Sequence, residues 1–184
     1  MPSPVSINAL VASQRRALDM AARELDDGEP ASHINSVATF KGLGPATPRA
    51  SAAARGSSKK RDTRCELVLR KALTSLGVRY RIDASDLDGH PDIAFRTARV
   101  VVFCDGDYWH GRDLDSRLAK LAAGHNATYW VSKIRANVAR DLRVTAALEG
   151  KGWLVARYWE TDIHSNPARI ANEIAALVRV RRSR

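Results

Sequence analysis

Asp92, Cys104, Asp105, Asp107 and His110 fall within nineteen consecutive positions, and their types suit phosphate chemistry. Asp92 follows Pro91 at the start of an apolar segment. A carboxylate there can bind a hard divalent cation such as Mg2+ through oxygen, or simply serve a turn. A second acidic group at the end of the next apolar run, Val100-Val-Val-Phe-Cys-Asp105, favours the metal. Hairpin pairing of strands 92–95 and 99–104 would bring Asp92, the Cys104 carbonyl and Asp105 together. One or two metal ions held there would activate a nucleophile and stabilise the leaving oxygen of a scissile phosphate. His110 adds a group that titrates near neutral pH and can act as general base or acid. A lone histidine is more often a structural hydrogen-bonder, and it is the neighbouring carboxylates that favour catalysis. Glu66 can orient His110 or bind a metal-coordinated water, although the helix dipole alone favours a first-turn glutamate.

The elements that position these groups follow from pattern and punctuation. Asp62 or Thr63 caps a helix through about Ser75, with Leu67, Val68, Leu69, Ala72, Leu73 and Leu76 as its stripe and Gly77 as its stop. Strands are expected at 78–82, 92–95 and 99–104, the first two separated by the turn-rich Asp86-Leu-Asp-Gly-His90. A long helix spans 128–149 and ends at Gly150 and Gly152 before a strand at 153–158. A last helix spans 167–180, opened by Pro167. The order predicts an α/β fold with a mixed sheet. Upstream, residues 5–27 suit a helix ending near Asp27-Gly28, and 28–60 read as a flexible basic connector that orders on DNA. The division is therefore an extension, 1–60, and a compact domain, 61–184.

The 184-residue chain carries a net charge of +10, which favours a polyanionic partner, nucleic acid first. Its two cysteines give no disulfide framework. The start, Met-Pro-Ser-Pro-Val-Ser, lacks the basic and apolar regions of a secretory signal, and no apolar run is membrane-length, so a cytoplasmic protein is expected.

Several dispersed segments carry a resemblance. Arg61-Asp-Thr-Arg-Cys-Glu66, Gly89-His-Pro-Asp92, Phe103-Cys-Asp-Gly-Asp-Tyr-Trp-His110, Tyr129-Trp-Val-Ser-Lys-Ile-Arg-Ala-Asn137, Arg140-Asp141 and Gly152-Trp-Leu-Val-Ala-Arg-Tyr-Trp-Glu160 occur in order. Over about residues 47 to 163 the chain resembles the very-short-patch-repair (Vsr) mismatch endonucleases, a branch of the PD-(D/E)XK nucleases. The resemblance implies a three-layer restriction-endonuclease-like core, a central mixed sheet flanked by helices, and Mg2+-dependent phosphodiester hydrolysis. It also implies roles. Asp92 matches the metal-binding aspartate, Cys104 the position whose backbone carbonyl contacts metal, His110 the catalytic histidine and Glu66 the glutamate associated with it. Tyr108, Trp109 and Trp130 match aromatics inserted beside the mismatch, where they compensate for lost base stacking. On the long helix Lys133, Asn137 and Arg140, with Arg135 and Arg143, can contact phosphates, and Asp141 can pair with one of these cations. Trp153 and Trp159 are expected in the core.

The pattern departs from the family in two places. Asp105 stands where the mismatch enzymes carry a second catalytic histidine, and Asp107 replaces another non-acidic residue, which makes the site richer in carboxylate. Asp105 is accordingly expected to be catalytic and a metal ligand. Gly111-Arg-Asp-Leu-Asp115 follows the catalytic histidine without the expected zinc ligands, so no structural zinc is expected, and packing around 111–127 must replace it. His125 and His164 are expected at the surface.

The resulting expectation is an endonuclease acting on double-stranded DNA with no membrane partner, nicking one strand beside a T:G mismatch as a monomer. Two alternatives are a restriction endonuclease cutting both strands of a matched or modified site as a dimer, and a basic DNA-binding module without activity.

Overall fold

A computed structural model describes residues 61–82 and 84–183. The helix and connector expected within 1–60 lie outside the described residues, as does the division at residue 60.

The first helix, α1 (Arg64–Ser75), opens with a capping box in which Thr63 and Glu66 satisfy each other's backbone N–H groups. Strand β1 (Ile93–Phe95) turns through a single 3-10 turn, Arg96–Ala98, into β2 (Val100–Asp105). Helices α2 (Leu114–Ala122) and α3 (Ala127–Gly150) then lead to β3 (Leu154–Trp159). Two helices, α4 (Glu160–Ser165) and α5 (Pro167–Arg182), close the domain. The sheet order is β1-β2-β3, with β1 antiparallel and β3 parallel to β2. A mixed α/β architecture was expected, and the expected 92–104 hairpin is present with Ile93 opposite Val102.

Both faces of the sheet are covered, which is why β2 is apolar along nearly its whole length instead of alternating. On one face Val100 and Val102 pack with Leu69 and Leu73 of α1 and Ile170, Ile174 and Leu177 of α5. On the other, Val101, Phe103 and Val155 pack with Leu148 of α3. A third cluster joins Leu114 of α2 to Ile134 and Val138 of α3, with Leu118, Leu121 and Leu142 against it. Each fully buried Leu or Ile contributes about 1.5–3 kcal/mol, so these layers hold the strand ends rigidly.

Two expectations need correction. The strand at 78–82 shrinks to one bridge, Arg81 to Ala94, with both N–H···O bonds at 2.8 Å. In three-residue β1 the outer residues turn their backbone groups toward β2, and only Ala94 offers its own to the outer edge. Val78 and Tyr80 pack against the α1–α5 core instead of extending a ladder. The packing expected around 111–127 is supplied by α2, whose apolar residues pack on α3. Finally, Trp153 and Trp159 are half-buried, Trp153 against the Val101 cluster and Trp159 beneath the Arg112 guanidinium at 5.9 Å.

Candidate active site

The C-terminal end of β2 and the loop after it gather most of the expected site. Asp92, immediately before β1, accepts the Cys104 N–H through Oδ2 at 2.7 Å. Burial, with the charges of Glu66 and Asp105 nearby, pushes its carboxyl up to about 6 despite that hydrogen bond. Asp105 ends β2 and is buried, and both of its oxygens are taken: Arg157 Nε donates to Oδ2 and Nη2 to Oδ1, each at 2.7 Å. The register explains the pairing, since Arg157 on β3 lies opposite Phe103, two residues before Asp105 and on the same face. The guanidinium also stacks over the Phe103 ring at 4.6 Å. Among the described residues no three His, Cys, Asp or Glu side chains form a ready metal cage. The expected convergence is thus narrower than a three-donor cluster, with Asp105 committed to Arg157.

His110 sits in the loop between β2 and α2. Its Nδ1 lies 2.6 Å from Asp141 Oδ2 and 3.5 Å from Asp105 Oδ1. Burial disfavours a charged ring, but the Asp141 hydrogen bond and the charges of Asp105 and Asp141 outweigh it and raise the histidine above its ordinary value. Burial would raise Asp141, yet the bond to His110 and the Arg157 charge bring it below the usual carboxylate range. An ionised carboxylate only accepts, so the proton sits on Nδ1 and Nε2 is the ring's basic atom.

Glu66 was expected near His110. Instead it is buried in the cap of α1, where its Oε1 accepts from Thr63 Oγ1 at 2.7 Å and its Oε2 from Arg70 Nη2 at 2.6 Å. Asp141 takes the orienting role expected of Glu66, and it also makes the expected pairing with a cation of the long helix, Arg140. Arg140 and Arg157 each lie 3.3 Å from its Oδ1, longer than the 2.6 Å contact with His110. Asp107 is structural: it accepts from Arg112 Nη1 at 3.1 Å and from Thr161, tying the loop to α4.

The aromatics form one continuous cluster, exposed at Tyr108 and Trp109 and buried at Tyr129. Tyr108 meets Trp109 edge-on at 4.8 Å, Trp109 lies 6.0 Å from Trp130, and Trp130 meets Tyr129 at 4.9 Å. Tyr108 and Trp109 are 39 % and 38 % exposed, an unusual exposure for such large apolar rings directly before the half-buried His110. Asn137 donates to the Trp109 carbonyl at 3.1 Å and so positions the aromatic loop. Lys133 is half-buried on the same helix, while Arg135, Arg140 and Arg143 are exposed. His125 and His164 are exposed too.

Sequence reasoning missed Arg157 and the destination of Asp141, and both had a signal. Asp141 falls on the buried stripe Ile134, Val138, Asp141, Thr145, Leu148 at helical spacing. Arg157 is the lone charge within Leu154-Val-Ala-Arg-Tyr-Trp159. A charged residue at a core position demands a partner.

The sequence pattern of DNA mismatch endonuclease Vsr matches residues 46–116. A type II nicking enzyme of Neisseria meningitidis serogroup C, V.NmeDIP, is 39 % identical over 123 residues, covering 67 % of this chain and 82 % of that protein. The chain belongs to the Vsr endonuclease family. A second nicking enzyme, V.HpaIIP of Haemophilus parainfluenzae, is 39 % identical over 120 residues, 65 % of this chain and 84 % of its own. DNA mismatch endonuclease Vsr of Escherichia coli is 36 % identical over 100 residues, 54 % of this chain and 62 % of its own. As a Vsr-family member the chain is a DNA endonuclease. Among the described residues no helix is long and apolar enough to cross a membrane.

Proposed function

We propose that this Vsr-family endonuclease nicks one strand of duplex DNA beside a T:G mismatch, in a Mg2+-dependent reaction on a PD-(D/E)XK core. The observation that carries the reading is the contiguity of a raised, half-buried carboxylate at Asp92, the His110–Asp141 pair, and the exposed Tyr108–Trp109 surface around one strand end and its loop.

The donor set fits a hard cation. Glu66 has Arg70 and Asp105 has Arg157, whereas among the described residues no ion pair reaches Asp92. A half-buried carboxylate raised to about 6 by desolvation and by neighbouring negative charge is relieved by a divalent cation. Asp92 and the Cys104 backbone carbonyl would hold Mg2+, which supplies Lewis-acid stabilisation of charge on the scissile phosphate.

The protein's own groups do the rest. His110, with its Nδ1 proton held by Asp141, offers Nε2 to take a proton from the attacking water or to return one to the leaving oxygen. Water adds to phosphorus, one P–O bond breaks, and a single strand is cut. Asp105 acts through Arg157 and contributes charge to the site. Tyr108, Trp109 and Trp130 wedge beside the weakened T:G pair, replacing the stacking lost when the duplex is distorted. Lys133, Asn137 and Arg140 on α3 track the backbone phosphates.

Strand-selective nicking is favoured over a double-strand restriction cut because V.NmeDIP and V.HpaIIP carry the name of nicking enzymes. The test is cleavage with Mg2+ of duplexes labelled on either strand, matched, methylated or carrying T:G. Nicking of the thymine strand of the T:G duplex alone is expected. Scission of both strands of a matched site would replace the repair reading with restriction, and binding without cleavage in any metal would remove the catalytic one.

A further inference from the structure

Two buried carboxylates stand beside the Nδ1 atom of His110, Asp141 Oδ2 at 2.6 Å and Asp105 Oδ1 at 3.5 Å. The neutral ring has one proton to donate at Nδ1, so its orientation depends on which carboxylate is otherwise engaged. Arg157 engages Asp105 fully, with Nε on Oδ2 and Nη2 on Oδ1, both at 2.7 Å. It touches Asp141 more loosely, Nη2 to Oδ1 at 3.3 Å, and Arg140 meets that same oxygen at 3.3 Å. Oδ2 of Asp141 is left to the histidine. Arg157 is itself fixed, its side chain only 9 % exposed and its guanidinium over Phe103. The charged groups facing His110 are therefore Asp105 from β2, Asp141 from α3 and Arg157 from β3, with Arg140 behind Asp141.

We propose that Arg157 is a positioning residue for strand cleavage: by saturating both oxygens of Asp105 it assigns the His110 Nδ1 proton to Asp141 and so fixes the direction in which the basic Nε2 points. The inference rests on His110 being the acid–base group. Arg157 need not touch the DNA. A bidentate guanidinium suits this role better than an ammonium, because its planar fork can cover two carboxylate oxygens at once. Without it, Asp105 competes with Asp141 for one proton and the ring divides between two orientations.

The experiment uses the full chain with Arg157→Met, Arg157→Lys and His110→Ala. The readouts are the ring 15N shifts of His110, DNA affinity, and single-turnover nicking of the T:G duplex with Mg2+. Wild type should show one tautomer, protonated at Nδ1. Arg157→Met should keep the Nδ1 proton but split or broaden the His110 ring signals between two orientations, and slow nicking by about 100-fold, the scale of a lost acid–base group, while DNA affinity changes by less than about threefold. Arg157→Lys, which keeps the buried charge without the fork, should fall between the two and serves where the methionine variant does not fold. Wild-type ring shifts and nicking rate in a folded Arg157 variant would overturn the proposal. The two failures separate cleanly: an active His110→Ala removes the acid–base reading itself, whereas an inactive His110→Ala beside a normal Arg157→Met removes only the positioning role. The nitrogen spectrum needs no substrate, so it tests Arg157 whichever duplex is cleaved.

Discussion

Asp92→Asn should make the protein more stable while making it inactive, and the size of the gain follows from its burial. The carboxyl is raised from 3.8 to about 6, some two pH units. At about 1.36 kcal/mol per unit, keeping it ionised in the fold costs up to about 3 kcal/mol. The sign is fixed by linkage. The unfolded chain releases this proton near pH 4 and the folded chain only near 6, so this contribution to stability is lost as pH rises between those values and is constant above. Asparagine has no proton to lose, and its carbonyl oxygen can still accept the Cys104 N–H. Urea unfolding in EDTA should therefore find Asp92→Asn about 1–3 kcal/mol more stable than wild type at pH 7.5, with the difference closing toward pH 4. Millimolar Mg2+ should stabilise wild type and not the variant, because only a ligand that binds the folded state shifts the transition. A variant less stable than wild type at pH 7.5, or a difference independent of pH, would refute the reasoning.

Other perturbations probe the rest of the site. Asp141→Asn should lower the single-turnover cleavage rate by roughly 100- to 10,000-fold with little change in DNA affinity, since the proton on Nδ1 loses its anionic acceptor. Trp109→Ala should cost about 1–3 kcal/mol of binding to a T:G duplex and much less on a matched one, as measured by competition binding. Gly111→Ala meets a positive φ of 77° and a Val138 Cγ2 atom 2.7 Å from the added Cβ. It should lose about 1–3 kcal/mol in urea unfolding and lower cleavage, because the strain falls on the residue beside His110.

Local features made much of the fold legible. Thr63 and Glu66 announce the start of α1, and the apolar run from Val100 announces a strand covered on both faces. The hairpin placed Asp92 beside Cys104 because a short antiparallel pair joins the start of one strand to the end of the next. What stayed hidden was the long-range pairing of charges. His110 and Asp141 are 31 residues apart and Asp105 and Arg157 are 52 apart, so no periodicity links them. Only the conflict between a charge and its apolar stripe hinted that each must be matched across the fold. Glu66 illustrates the opposite error. Its motif position suggested His110, but a capping box and Arg70 three to four residues away claim its oxygens first. The strand expected from Val78 failed because alternation shows which side chains face the core without showing that a neighbouring edge has backbone groups to offer.

The most direct test of the whole account is single-turnover cleavage of duplex DNA by wild type and Asp92→Asn across a Mg2+ titration, with DNA binding measured in parallel. Wild type should nick in a Mg2+-dependent manner and the variant should lose at least about 1,000-fold at unchanged DNA affinity, as expected when a metal ligand is removed from phosphoryl chemistry. Cleavage by folded Asp92→Asn at the wild-type rate would contradict it.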